Sequence, residues 1–135
     1  MVGIDSFALA MIETAESVEN LEKIAATPGL DGIYVGPADL ALGTQAARLV
    51  PGFDRKEPEM VDPIRRIAKV CDEKGIKACL HCATPDHAAK AISCGYHLTT
   101  VSGDTRLLAA AASAGRFREL TTGADAQDAG SEGGR

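Results

Sequence analysis

Short apolar runs alternate with amphipathic stretches along this chain, and each run ends in a polar or glycine-containing corner. The first run, Phe7 to Ile12, is followed at once by Glu13 and Thr14. From Ala15 to Ala26 the apolar residues Val18, Leu21, Ile24 and Ala25 share one helical face. Ser17 and Glu19 lie near its polar start and Pro28-Gly29 stops it. A second run, Gly32 to Gly36, reads as a strand. Pro37 then suits the first position of a short helical turn, where an N–H would have no partner. Gly43 to Lys56 is polar, contains Pro51-Gly52, and reads as a loop and candidate lid. Glu57-Pro58 opens a helix to about Lys74, striped by Val61, Ile64, Ile67, Ala68 and Cys71, with Gly75 as its C-cap. Lys77 to Cys82 is a third strand. Thr84-Pro85 opens a helix to Ser93 that Gly95 closes, and His97 to Val101 is a fourth strand. Ser102-Gly103-Asp104 starts a last helix, from Thr105 to about Ala114.

Four βα repeats predict an α/β fold with a parallel sheet and right-handed crossovers. Four units are half of an eight-stranded barrel, and an open doubly wound sheet is the competing architecture. Residues 1–120 carry this pattern. Residues 121–135 are Thr, Gly, Ala, Asp, Gln, Ser, Glu and Arg, which predicts a disordered tail. A parallel sheet of four strands leaves two unpaired edges and one uncovered face. Self-pairing, or a partner half-barrel, is the expected way to hide them.

Hydrophobic residues make up 45% and charged residues 24%, both ordinary for a globular chain. A net charge of -5 argues against nucleic acid and anionic membrane as partners. Aromatic content of 4% without Trp argues against base stacking. No apolar run approaches the ~20 residues of a membrane span. Met1 to Asp5 lacks the basic start of a signal peptide, so a cytoplasmic location is expected. Cys71, Cys79, Cys82 and Cys94 then read as reduced thiols. The stretch Cys79-Leu80-His81-Cys82, with His87 and His97, invites a zinc reading. Strand alternation, however, sends Cys79 and His81 to one face and Cys82 to the other, so buried thiols are preferred. His81 falls near the rim of the third strand, in the core or facing its mouth. Arg65, Arg66, Lys69, Lys74 and Arg106 read as solvated helix charges, and Asp104 as a helix N-cap.

Glu13 and Asp39 follow successive strands, where parallel α/β folds build their sites. Two carboxylates on one rim suit one hard cation, although both would also serve as helix caps. The corner Gly36-Pro37-Ala38 either offers backbone N–H groups to an anion or is simply a tight turn. No glycine-rich phosphate loop follows the first strand, which disfavours a flavodoxin-type binding module.

Several segments carry a resemblance by their order and spacing. They are Met11-Ile12-Glu13-Thr14, Gly29-Leu30-Asp31-Gly32-Ile33, Gly36-Pro37-Ala38-Asp39-Leu40 with Gly43, and Val101-Ser102-Gly103-Asp104-Thr105-Arg106-Leu107. Over roughly residues 7 to 115 the chain resembles the HpcH/HpaI aldolase/citrate lyase family, most of all its pyruvate-type class II aldolases such as 4-hydroxy-2-oxoheptanedioate aldolase. The resemblance implies a (β/α)8 barrel, with this chain as its C-terminal half, strands five to eight. It implies that Glu13 and Asp39 bind Mg2+, Mn2+ or Co2+, and that Gly36, Pro37 and Ala38 hold the carboxylate of a small 2-oxo acid, pyruvate. The implied reaction cleaves 4-hydroxy-2-oxo acids to pyruvate and an aldehyde, with a CoA-thioester lyase of the citrate/malyl type as the sister activity. The family's catalytic His and substrate-contacting Arg lie in the N-terminal half, and neither has a matching position here. Met11 stands where the family often has Gln. The chain alone is therefore expected to be an incomplete and inactive half, with a non-catalytic fragment or a split-barrel subunit as the rival reading. The family's tendency to associate implies a homo-oligomer or a partner half-barrel.

Overall fold

A computed structural model describes residues 6–44 and 52–116. Strands β1 (Leu9–Ile12), β2 (Gly32–Val35), β3 (Lys77–Cys82) and β4 (Leu98–Val101) form one sheet in the order β1-β2-β3-β4. Every neighbouring pair is parallel. A doubly wound sheet reverses its strand order at a switch point. This sheet does not, so its units follow the sequential order of a barrel. Ile12 pairs with Val35, Val35 with Leu80, and His81 with Thr100. This register brings Glu13, Gly36, His81 and Thr100 to one level at the C-terminal rim.

The helices follow the apolar stripes, with two differences. The single helix expected over residues 15–26 is broken at Asn20 into α1 (Ala15–Glu19) and α2 (Leu21–Ala25). Asn20 Nδ2 donates to Glu16 O at 3.0 Å, and Lys23 Nζ donates to Asn20 Oδ1 at 3.2 Å. Side-chain bonds of this kind compete with a continuous helical ladder. Helix α3 (Pro37–Gly43) runs through Gly43, so the expected loop begins one residue later. Residues 45–51 of that loop and candidate lid, and the expected disordered tail 121–135, lie outside the described residues. Helix α4 (Pro58–Lys74) ends as predicted at Gly75, whose φ of 67° lies in the left-handed region. Helix α5 (Pro85–Ser93) is capped by Thr84, whose Oγ1 accepts from His87 N at 3.2 Å.

The chain divides after Val101 into two compact units. The second contains α6 (Asp104–Ala111) and a π-helical turn, Ala112–Arg116. No described helix is long and apolar enough to cross a membrane.

The core of the first unit lies on one face of the sheet. Ile12, Ile33, Val35 and Leu80 from the strands are buried with Leu21, Leu40, Met60 and Ile67 from the helices. Tyr96 OH donates to Ile64 O at 2.9 Å and ties the approach to β4 onto α4. Arg66 is more than a solvated charge. It donates to Val18 O at 3.1 Å and to Glu22 Oε1 at 2.9 Å, a strut from α4 to the α1–α2 pair. The opposite face is open, with Phe7 80%, Met11 56% and Leu98 49% exposed.

Leu80 sits at the centre of the buried face. Leu80→Ala is expected to lower unfolding free energy by about 2–5 kcal/mol in urea denaturation. Lys69→Ala, which removes only an exposed ion pair with Glu73, is expected to shift it by no more than ~0.5 kcal/mol.

Candidate functional site

Glu13 is the first residue beyond β1, and its backbone is held from two sides. Ser17 Oγ accepts from Glu13 N at 3.2 Å and from Thr14 N at 3.0 Å. Thr14 Oγ1 accepts in return from Ser17 N at 3.1 Å, completing a capping box at the start of α1. Across from it, Gly43 ends α3 against the same residue. A Cβ on Gly43 would overlap the Glu13 carbonyl oxygen, and Thr14 and Gly43 form a parallel bridge. Buried Pro37, Leu40 and Ala41 anchor α3 to the core, and Leu40 N donates to Gly36 O at 2.8 Å. Asp39, between those anchors, is turned outward at the rim and is exposed.

Gly36 marks where the two acids meet. A Cβ on Gly36 would lie 2.9 Å from Glu13 Oε1 and 2.9 Å from Asp39 Oδ2. Both carboxylates thus face one small volume at the end of β2, and a glycine leaves that volume open. Burial, followed by the charge of Asp39, raises the Glu13 carboxyl above its ordinary value. The ion pairs Arg55–Glu57, Arg66–Glu22, Lys69–Glu73 and Lys90–Asp54 involve other carboxylates. Two carboxylates that converge in this way fit a hard, oxygen-seeking cation. Among the described residues no group of three or more His, Cys, Asp or Glu forms a fuller ligand set. Further coordination positions at such a cation would fall to water and substrate.

His81 resolves to the rim. It is half-buried, with Nδ1 2.7 Å from Thr100 Oγ1 and 3.3 Å from Tyr34 OH. Tyr34 OH and Thr100 Oγ1 are themselves 2.8 Å apart. The Phe53 ring packs on the imidazole, centroids 5.1 Å apart and planes tilted by 60°. Sequence reasoning does not single out Tyr34, Thr100 or Phe53. Period-two alternation places the first two on the same face as Glu13, but only the register shows that they meet His81.

Cys71, Cys79 and Cys82 are buried free thiols, as the sequence suggests. Burial pushes Cys71 and Cys82 up to about 11, so both stay protonated near neutrality. Asp104 is the first helical residue of α6 rather than its cap, a position that Gly103 takes. Its Oδ1 accepts from Thr105 N at 2.7 Å, and that bond, with the one from the Thr105 hydroxyl, holds the carboxyl low.

Comparison with known proteins gives a consistent picture. The family model for HpcH/HpaI aldolase/citrate lyase matches residues 5–111. A hydroxypyruvate/pyruvate aldolase from Rhizorhabdus wittichii is 35% identical over 104 residues, 77% of this chain and 40% of that protein. A 4-hydroxy-2-oxo-heptane-1,7-dioate aldolase from Klebsiella pneumoniae is 32% identical over 116 residues, 84% of this chain and 42% of that protein. The chain therefore spans about two fifths of the length of these relatives. A solved HpcH/HpaI aldolase from Desulfitobacterium hafniense overlays with a TM-score of 0.71 at 23% identity, covering 81% of this chain and 40% of that one. That likeness is one of fold, and the four parallel βα units correspond to part of a (β/α)8 barrel.

The raised Glu13 carboxyl has a consequence for stability. The folded chain holds this proton more tightly than the unfolded chain does, so the ionised carboxylate opposes folding. The penalty is absent below the ordinary value of 4.5 and complete above the raised folded value. Glu13→Gln is expected to raise the melting temperature at neutral pH and to lose that advantage below pH 4.5, as read by thermal melts across pH.

Proposed function

Because the chain belongs to the HpcH/HpaI aldolase/citrate lyase family, we propose that it carries the cation-binding and 2-oxo-acid-binding part of a class II aldolase. The reaction in this reading cleaves 4-hydroxy-2-oxo acids to pyruvate and an aldehyde. The observation that carries it is the pair of carboxylate oxygens, each 2.9 Å from the point where a Gly36 Cβ would stand. Glu13 and Asp39 would hold Mg2+, Mn2+ or Co2+. Such a cation, when bound, supplies Lewis-acid polarisation of an oxo group and offsets the charge that develops on its oxygen.

The chain's own residues position the substrate. Gly36, Pro37 and Ala38 form the entry to α3. The Ala38 N–H lies in the first helical turn, where no helical carbonyl is in reach, and it is free to meet a carboxylate oxygen. The glycine and the alanine are small enough to let that carboxylate approach. The two relatives, a hydroxypyruvate/pyruvate aldolase and a 4-hydroxy-2-oxo-heptane-1,7-dioate aldolase, support a 2-oxo acid as the shared ligand.

A second observation bears on how the site is completed. Phe7, Met11 and Leu98 expose apolar surface on the inner face, and β1 and β4 are both sheet edges. A further set of βα units, from a second copy or a partner half-barrel, would cover that face. The catalytic His and Arg expected from the family have no matching positions in this chain. The 135-residue chain alone is therefore expected to release little or no pyruvate from a 4-hydroxy-2-oxo acid with Mn2+. Release that depends on Asp39 would contradict that part of the reading.

Calorimetric titration with Mn2+ tests the centre itself. The native chain is expected to bind one ion. Glu13→Gln, Asp39→Asn and Gly36→Ala should each weaken it by roughly tenfold or more, a loss that even outer-shell changes can produce. Affinity should fall as pH drops through the raised Glu13 value, because proton and cation compete for the same oxygens. Unchanged affinity in all three variants would count against the site.

A further inference from the structure

One imidazole stands on the same rim as the carboxylate pair and outside every motif that the family resemblance uses. We infer that His81 is a substrate-recognition residue. Its Nε2–H donates a hydrogen bond to the oxygen two carbons beyond the oxo group of a 4-hydroxy-2-oxo acid, the oxygen that becomes the aldehyde carbonyl. This rests on the 2-oxo-acid reading above and adds the residue that distinguishes the long substrate from the short one.

The register supplies the placement. Val35 pairs with Leu80, so His81 is level with Gly36 and one strand to its side. Neighbouring strands lie ~4.8 Å apart. Ile12 pairs with Val35, so Glu13 is level with Gly36 on the other side. β3 is the neighbour of β2 on the side away from β1, so a ligand anchored at Gly36 and the two acids that extends its carbon chain across the sheet towards β3 passes His81. Towards β3, the first polar side chain at the rim of the inner face is His81.

Counting protons assigns the tautomer. Tyr34 OH lies 2.8 Å from Thr100 Oγ1, and Thr100 Oγ1 lies 2.7 Å from His81 Nδ1; in the inferred arrangement the phenol donates to the threonine oxygen and the threonine hydroxyl donates to Nδ1. Both hydroxyl protons are then used, Nδ1 is an acceptor, and the ring proton sits on Nε2. The other tautomer would leave one hydroxyl proton, of Tyr34 or of Thr100, without an acceptor in the trio. Nε2 makes no hydrogen bond among the described residues, whereas Nδ1 faces two hydroxyls. The Phe53 ring, 5.1 Å away, restrains the imidazole plane. Three neighbours therefore orient one donor that is left open, an arrangement that pre-organises it for a ligand acceptor.

Two measurements on the full chain test this. Long-range 15N–1H spectra, taken above the pH of imidazole titration, should show His81 as the Nε2–H tautomer. Thr100→Val should weaken that preference. A His81 ring protonated on Nδ1 would overturn the inference. Calorimetric binding in Mg2+ should compare pyruvate with 4-hydroxy-2-oxobutanoate. His81→Leu should weaken the hydroxy acid by ~3–10-fold, the worth of one hydrogen bond, and leave pyruvate within about twofold. His81→Gln, which keeps a donor close to Nε2, should recover most of the loss. It also carries the test if the leucine variant does not fold, since it should bind the hydroxy acid better than Thr100→Val does. An equal loss on both ligands, or none, would overturn the role of His81 and leave the 2-oxo-acid reading standing. Binding of neither ligand by the native chain would overturn that reading and the inference with it.

Discussion

Two carboxylates converge on a single glycine at the end of β2, and the backbone contacts of the first unit bring them there. Glu13 is locked at its backbone by Ser17 on one side and by Gly43 on the other. Asp39 rides on α3, which Leu40 and Ala41 pin into the core. Burial, and after it the charge of Asp39, raises the Glu13 carboxyl above its ordinary value. A pair of this kind is costly in an isolated fold. A cation in the shared volume would offset that cost.

The parallel sheet makes that arrangement reproducible. Its register sets the ends of neighbouring strands level, so a residue just past one strand faces residues just past the next. The helices bury the opposite face and leave the inner face open. At the rim this gives a row with distinct tasks. Glu13 and Gly36 frame the charged volume. His81 and Thr100 form a hydrogen-bonded patch beside it, supported from one layer below by Tyr34.

Much of this was legible from the chain itself because the signals are local. Thr84-Pro85, Gly75 and the stripe from Val61 to Cys71 fix their helices through caps and periodicity within a few residues. Glu13 and Asp39 were legible because each directly follows an apolar run. Their closeness was not, since it depends on Gly36 and Gly43 allowing backbone approaches between segments far apart in sequence. The break at Asn20 was hidden because the apolar spacing continues through it while the side-chain bonds that interrupt it do not show in periodicity. Arg66 looked like any surface charge until its partners on α1 and α2 were in place. His81 stayed ambiguous for the same reason, as its surroundings come from three strands and a loop.

The most direct measurement is anomalous diffraction from crystals of the chain grown with Mn2+. The account predicts one strong peak beside Gly36, within coordination distance of both the Glu13 and the Asp39 carboxylates. Manganese bound elsewhere, with those two carboxylates apart and each solvated on its own, would contradict it.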